Sequence, residues 1–308
     1  MTGATPADQE ITMDEMRVGV IDVGSNTVRL LAASVTDRGV DALREERAYL
    51  GLGEEILLHG RIRGAKLKEL SRVTSEYARV ASELRVQRLE AVVTAPGRQG
   101  GAPERLIDAL ATATKGGVRI VSPEEEGRLA YTGAVSRAGV SDGVIGVCDV
   151  GGGSTEIVVG MPLVGPAWVR SVDVGSLRLT LGLLHGDPPT LPQIETARAL
   201  IRAAFEGIEP PQPELTLATG GSARAIARIV GGTYGGAELE QVVQDLVSRS
   251  AARSARALGV APHRARTLLA GALVLQEVSR LLGIPFTPAR GGIREGVAIR
   301  LASQQLAA

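Results

Sequence analysis

A short motif that occurs twice, 149 − 22 = 127 positions apart, limits the fold of this chain more than any other feature. Residues 20–27 read Val-Ile-Asp-Val-Gly-Ser-Asn-Thr, and residues 147–155 read Val-Cys-Asp-Val-Gly-Gly-Gly-Ser-Thr. In each copy an apolar run reaches an acid, Asp22 or Asp149, then a small-residue turn, then a second run of β-formers. That order reads as strand, tight turn, strand, with a carboxylate at the tip. Glycine and serine in such a turn let backbone N–H groups point at an anion and allow close approach. A carboxylate beside a phosphate cradle is what a Mg²⁺–phosphate site requires. Two copies imply two related halves facing each other across a phosphate-filled cleft.

The rest of the chain fits that duplication. Residues 17–22, 27–35 and 40–49 predict three consecutive strands. Residues 65–84 have helical spacing, with Leu67, Leu70, Val73, Tyr77, Val80 and Leu84 on one face. Residues 89–94 read as a strand, stopped by Ala95-Pro96-Gly97. A helix over 103–114, a strand over 118–121 and a helix over 124–137 follow. Ser122 as N-cap, Pro123 at the first position and Glu124 in the first turn open the last of these. The pattern then restarts, with strands over 143–149, 155–159 and 167–174. After them come a helix over 191–206, a Pro-rich loop at 209–213 and a strand over 215–218. Helices over 222–230, 239–246 and 265–282 complete it.

Three strands followed by alternating helices and strands, twice over, predict an α/β chain of two similar domains. Residues 1–16 read as a polar, disordered tail without the apolar core of a signal peptide. Residues 17–138 form the expected first domain, with the glutamate-bearing helix at its end, and 139–308 the second. A final helix over 292–302 is expected to return to the first domain.

Charge narrows the partners. Lys+Arg and Asp+Glu balance at 34 each, so no global field favours nucleic acid or an anionic membrane, and a polyanion site must be a local patch. Nearly all the basic residues are arginine, Lys66, Lys68 and Lys115 being the exceptions, a bias read as compositional. The single cysteine, Cys148, lies in an apolar run and reads as a small buried hydrophobe. His59, His185 and His263 are scattered without ligand spacing, which argues against a histidine metal site or a Ser-His-Asp triad. The longest apolar stretch, 267–283, is broken by Gln276, Glu277 and Arg280 and reads as a buried helix rather than a membrane span. A soluble cytoplasmic protein with no nucleic-acid or membrane partner is expected.

Five segments, in one order, closely resemble the Ppx/GppA phosphatase family, which comprises exopolyphosphatases and guanosine pentaphosphate phosphohydrolases. Asp22-Val-Gly-Ser-Asn-Thr27 looks like the family's first phosphate loop, and Asp149-Val-Gly-Gly-Gly-Ser-Thr-Glu156 matches its second. Ser122-Pro-Glu-Glu-Glu-Gly-Arg-Leu129 is similar to its Glu-Glu-Ala-Arg-Leu helix start. Thr219-Gly-Gly-Ser-Ala223 resembles a third glycine turn, and Gly292-Ile-Arg-Glu-Gly296 the closing motif. One glycine turn alone is weak evidence, but five in order are specific. The resemblance runs from Val18 to about Gly296. It implies two ribonuclease H-like domains of the actin-like ATPase fold, shared with sugar kinases and chaperones, with the site in the interdomain cleft.

The resemblance also implies roles. Glu126 aligns with the family glutamate that orients or deprotonates the attacking water. Without the flanking matches, Glu124, Glu125 and Glu126 would only complement a helix dipole. Asp149 and Glu156 are candidate Mg²⁺ ligands, with Asp22 the symmetric one. Gly24, Ser25, Asn26 and Thr27 are expected to cradle phosphate, as are Gly151, Gly152, Gly153 and Ser154, and Gly220, Gly221 and Ser222. Arg98 falls where the family carries a phosphate-binding arginine. Here, however, Thr94-Ala-Pro-Gly-Arg98-Gln99 departs from the family's Thr-x-x-Leu-Arg-x-Ala, so Pro96 and Gly97 are expected to reshape that loop. Thr27 stands where many members have serine and keeps the hydroxyl.

The expected activity is Mg²⁺-assisted removal of the terminal phosphate of polyphosphate or guanosine pentaphosphate. Longer members add a C-terminal helical domain with an HD-type module. The sequence shows no His-Asp pair suited to such a module, so action on short polyphosphates or a nucleotide is expected rather than processive action on long chains. Two alternatives belong to other classes: a phosphotransferase passing phosphate from polyphosphate to ADP, and a non-catalytic alarmone sensor. A homodimer is expected from the family's habit.

Overall fold

The structure is a computed structural model that describes residues 15–306, so most of the expected N-terminal tail lies outside the described residues. The first half runs β1 (Met16–Val23), β2 (Thr27–Thr36), β3 (Gly39–Tyr49), α1 (Leu52–His59), α2 (Gly64–Glu83) and β4 (Arg88–Val93). It continues with α3 (Ala95–Gln99), α4 (Pro103–Thr114), β5 (Gly117–Ile120) and α5 (Pro123–Ser136). The second half repeats the scheme with β6 (Ile145–Val150), β7 (Thr155–Met161), β8 (Gly165–Val172), α6 (Ser176–Gly182), α7 (Leu191–Ala204) and β9 (Leu215–Thr219). After them come α8 (Gly220–Val230), α9 (Gly236–Val247), α10 (Ala251–Leu258), α11 (Pro262–Leu282), β10 (Phe286–Pro288) and α12 (Ile293–Leu306).

Each half contains one five-stranded sheet, and the two have the same order. The first is β3-β2-β1-β4-β5 and the second β8-β7-β6-β9-β10, read from the equivalent edge. In both, the first three strands are antiparallel and the last two run parallel to the first. This mixed sheet with helical crossovers, made twice, is the ribonuclease H-like pair of the actin-like ATPase fold. The central strands are buried on both faces, as β1 and β6 show with Val18, Val20, Ile21, Val147 and Cys148.

Several elements differ from the sequence reading. Ala95-Pro96-Gly97 does not merely stop β4. It opens the short helix α3, because Pro96 sits in the first turn, where a missing N–H costs nothing. The strand expected over 167–174 ends at Val172, where the chain turns towards α6. Helix α8 begins at Gly220, two residues before the expected start. The stretch over 267–283 is the buried body of α11, with Leu268, Ala270, Val274, Leu275 and Val278 in the core. Among the described residues no helix is long and apolar enough to cross a membrane.

The halves are joined by an exchange of helices. Helix α5 follows the first sheet yet packs along β6, β7, β8 and β9 of the second. Helix α12 follows the second sheet yet packs on β1, β2 and β3 of the first. The two cross where neither can carry a side chain. A Cβ on Gly133 would overlap the Gly292 carbonyl oxygen, and one on Gly296 would overlap the Leu129 carbonyl oxygen. Leu129 completes the apolar cluster of the first sheet, while Tyr131, Ala134 and Val135 complete one on the second.

Candidate active site

The duplicated motifs build two turns of one design. In the first, the Gly24 amide donates to the Thr27 carbonyl at 3.0 Å; in the second, the Gly151 amide donates to the Ser154 carbonyl, also at 3.0 Å. The helix after each third strand pins its turn. The Gly53 amide of α1 donates to the Ser25 carbonyl at 2.7 Å, and the Leu177 and Arg178 amides of α6 donate to the Gly152 carbonyl at 3.0 Å. Among the described residues, the amides of Ser25, Asn26, Gly152 and Gly153 donate to no protein acceptor. Such groups need a partner, and here they border a cleft. The two turns also touch: a Cβ on Gly153 would lie 2.7 Å from Ser25 Oγ and 2.9 Å from the Ala95 Cβ. Gly153, and more weakly Gly152 with the Ser25 Cβ at 3.1 Å, are therefore held small by the neighbouring turn.

The cleft between them is narrow, about 110 Å³, and holds residues from both halves. Its lining includes Gly24–Thr27, Gly151–Ser154, Gly220, Gly221, Asp22, Asp149 and Glu126. Three expected site residues lie elsewhere. Ser222 is fully buried, its hydroxyl against Gly271 of α11. Glu156 pairs with Asp149 across β6 and β7 but lies behind the cleft, 1% exposed, accepting from Ser171 Oγ at 2.7 Å. Arg98 reaches Glu126 rather than the cleft lining, with Nη1 2.8 Å from Glu126 Oε2.

Helix geometry sorts the three adjacent glutamates of α5. Successive residues turn by about 100°, so they cannot share an environment. Glu124 turns to solvent and pairs with Arg128 at 2.8 Å. Glu125 pairs with Arg119. Glu126 points inward, 9% exposed, and is the only one of the three in the cleft lining. Burial is the main force on its carboxyl, raising its pKa from 4.5 to about 7, against the opposing pull of Arg98. Its pseudo-symmetric counterpart is Glu295, which also precedes a glycine in the first turn of α12. Glu295 is committed to a cap, accepting from the Gly292 amide at 2.9 Å.

Burial also raises Asp22 and Asp149, the latter to about 6, and each lies in the field of arginines. The donor chemistry suits Mg²⁺, which takes one or two carboxylates and keeps waters and phosphate oxygens for the rest. Asp22 and Asp149 supply those two carboxylates from opposite walls of one cleft. Glu156 is buried beside Asp149 and outside the cleft lining, and among the described residues no group of three acidic, histidine or cysteine side chains is gathered for a metal.

The sequence reading missed the arginines. Arg29, Arg224, Arg264, Arg290 and Arg294 all line the cleft. Arg29 was accessible from the repeat itself, since it stands seven residues after Asp22 as Glu156 stands seven after Asp149. The registers agree: Arg29 is opposite Asp22 and Glu156 opposite Asp149. Arg264 from α11 lies over Gly221, where any side chain would displace its guanidinium. The cleft opens into a second chamber of about 660 Å³ that shares Arg29, Arg224, Arg264 and Arg290. That chamber adds Arg47, Arg228 and His263 and has no carboxylate in its lining. At its rim the Tyr49 and His263 rings meet with centroids 3.6 Å apart.

Comparison with known proteins agrees with this geometry. The model of the Ppx/GppA phosphatase family matches residues 31–305. Exopolyphosphatase 2 of Mycobacterium tuberculosis is 32% identical, over 93% of this chain and 98% of the relative. Exopolyphosphatase 1 of Mycobacterium leprae is 28% identical, over 92% of this chain and 89% of its own length. Among solved structures, the Aquifex aeolicus member of the Ppx/GppA family superposes with a TM-score of 0.81 at 25% identity, covering 95% of this chain and 98% of that one. With its duplicated turns, its crossed helices and its cleft glutamate, the chain belongs to the Ppx/GppA phosphatase family.

Proposed function

We propose that this protein is an exopolyphosphatase, hydrolysing the terminal phosphoanhydride of inorganic polyphosphate. The observation that carries the reading is Glu126, a buried carboxylate placed between two unsatisfied amide turns and backed by five arginines. The turns fit a terminal phosphate: their free amides donate to its oxygens, and the first-turn amides of α8 at Gly220 and Gly221 add a helix N-terminus. Glu126 accepts a hydrogen bond from a water, and that water's oxygen attacks the terminal phosphorus in line. The bond from phosphorus to the bridging oxygen breaks, its electron pair leaves on the shortened chain, and Glu126 takes the proton. A Mg²⁺ ion held by Asp22 and Asp149 would supply charge neutralisation on the phosphate oxygens. The names of the similar mycobacterial proteins support the same substrate.

Guanosine pentaphosphate offers the same terminal anhydride. The Tyr49–His263 pair at the chamber rim is the observation that favours it, as an aromatic surface for a base. Phosphate release with Mg²⁺ from tripolyphosphate, from long polyphosphate and from guanosine pentaphosphate ranks the substrates, and added ADP tests for transfer. Glu126→Gln is expected to reduce release about 100-fold or more, with substrate binding retained. An unchanged rate in that variant, or ATP formed in place of free phosphate, would sink the reading.

A further inference from the structure

Arg98 occupies a position for which the family resemblance implies phosphate binding, but its surroundings in this chain are different. It sits in α3, which continues directly from β4 and is tied back to β1 by the Thr94 amide donating to the Val23 carbonyl at 3.2 Å. Gly97 lets that helix lie flat on the sheet. A Cβ there would meet Ile120 and Val93 at 3.0 Å, tighter than ordinary packing allows. With Pro96 fixing the first turn and Gly97 seated against the sheet, Arg98 is aimed at the β5–α5 junction. Its Nη1 donates to the Val121 carbonyl at 2.9 Å and lies 2.8 Å from Glu126 Oε2. The guanidinium is 17% exposed and the carboxylate 11%. Arg98 does not line the cleft, whereas five other arginines do.

We propose that Arg98 is a positioning residue for Glu126 rather than a phosphate ligand. It clamps the carboxylate between the end of β5 and the phosphate turns, so that one rotamer of Glu126 faces the attacking water. The clamp does not use up the base: the oxygen that Arg98 holds, Oε2, is sealed from solvent, while Glu126 lines the cleft and keeps its other oxygen for a water. Asp149, Asp22 and Glu156 all act on Glu126 with negative charge. Arg98 is the cation in contact with it, and without that contact like-charge repulsion would turn the side chain away. The departure at Pro96-Gly97 then has a purpose: it gives the arginine to the base and leaves phosphate binding to Arg29, Arg224 and Arg264.

This rests on the reading of Glu126 as the base, and a double-mutant cycle separates the two. Arg98→Gln is expected to lower kcat about 10- to 100-fold, the cost of a misplaced catalytic group, with KM for tripolyphosphate and inhibition by inorganic phosphate unchanged within about two-fold. Arg98→Lys, which keeps the charge but not both contacts, should recover part of kcat, as should millimolar guanidinium added to Arg98→Ala. In the Glu126→Gln background, Arg98→Gln should cost nothing more. A KM raised ten-fold or more with kcat kept, or a full additive loss in the double variant, would make Arg98 a phosphate ligand and overturn the proposal. A Glu126→Gln enzyme that still turns over would remove the base reading itself, and the clamp with it.

Discussion

Asp149 faces conflicting demands that leave a mark on stability. Its carboxyl lines the cleft, half-buried, and desolvation raises its pKa from 3.8 to about 6, with Arg224 opposing and Asp22 adding repulsion. A carboxyl whose folded pKa is raised binds a proton more readily when folded than when unfolded. The stability it contributes is therefore fully present below its unfolded value and is lost as pH rises through the folded one. The gap between 3.8 and about 6 is worth on the order of 3 kcal/mol. Asp22 and Glu126 are shifted in the same direction. Melting of the metal-free protein between pH 5.5 and 8 should show a Tm that falls with pH. Asp149→Asn should melt higher at pH 8, with a shallower slope and no phosphatase activity. His263, whose pKa burial lowers, pulls the other way, so the difference between variant and wild type is the readout. Parallel slopes in the two proteins would mean that Asp149 carries no such burden. The sequence placed this acid at the tip of a turn but carried no sign of its burial. Likewise, three adjacent glutamates look alike in a string, and only the helical turn separates Glu126 from Glu124. Arg224 and Arg264 were hidden by abundance in a chain whose basic residues are nearly all arginine, whereas Arg29 could have been read from the repeat.

At the scale of elements, the crossing of α5 and α12 is the contact on which the two halves depend. Gly133 and Gly296 bring the two backbones together, so alanine at either must push the helices apart. Overpacking a fixed contact of this kind costs about 1–3 kcal/mol and more where the neighbour is backbone. Gly133→Ala is therefore expected to lower the unfolding free energy by about 3 kcal/mol or more, read from denaturant unfolding as a midpoint shifted strongly down. Gly64→Ala, at the start of α2 with open space around it, should be neutral or slightly stabilising. Equal effects of the two would show that the crossing is not close-packed in solution. The long periodic elements were legible: β1, β2, β3, α2, α4, α5 and the buried body of α11 all follow from spacing, caps and β-formers. Five short ones were not. Helices α1, α3, α6 and α10 have eight, five, seven and eight residues, and β10 has three, too few for a period to show. Helices α1 and α6 exist because they pin the two turns, a tertiary reason that no local window contains. The return of α12 to the first sheet was expected from the sequence and is what the fold shows, whereas the packing of α5 on the second sheet was not legible locally.

Over the whole molecule, equal numbers of acids and bases hide a separation of charge. The chamber beside the cleft collects Arg29, Arg47, Arg224, Arg228, Arg264, Arg290 and His263 in one wall system without a carboxylate. A neutral protein with such a chamber attracts polyanions at short range while its net field stays small. The chamber shares its arginines with the cleft, so a polyphosphate chain whose end sat beside Glu126 would extend its next phosphates past Arg224 and Arg264 towards Arg47 and Arg228. The last two line only the outer chamber, and a triphosphate held at the turns is too short to need them. An exposed charge pair with phosphate is worth about 1 kcal/mol, and 1.4 kcal/mol is ten-fold in affinity. Replacing both Arg47 and Arg228 by Gln should therefore raise KM for long polyphosphate roughly ten- to thirty-fold, with kcat unchanged and KM for tripolyphosphate within about two-fold. Because these arginines act through exposed charge, their contribution should shrink as salt screens it. KM for long polyphosphate should thus rise with salt in the wild type and be flatter in the double variant. A KM that increases equally for short and long substrates would place these arginines on the terminal phosphate instead. An unchanged KM for both would send the chain out of the cleft by another route.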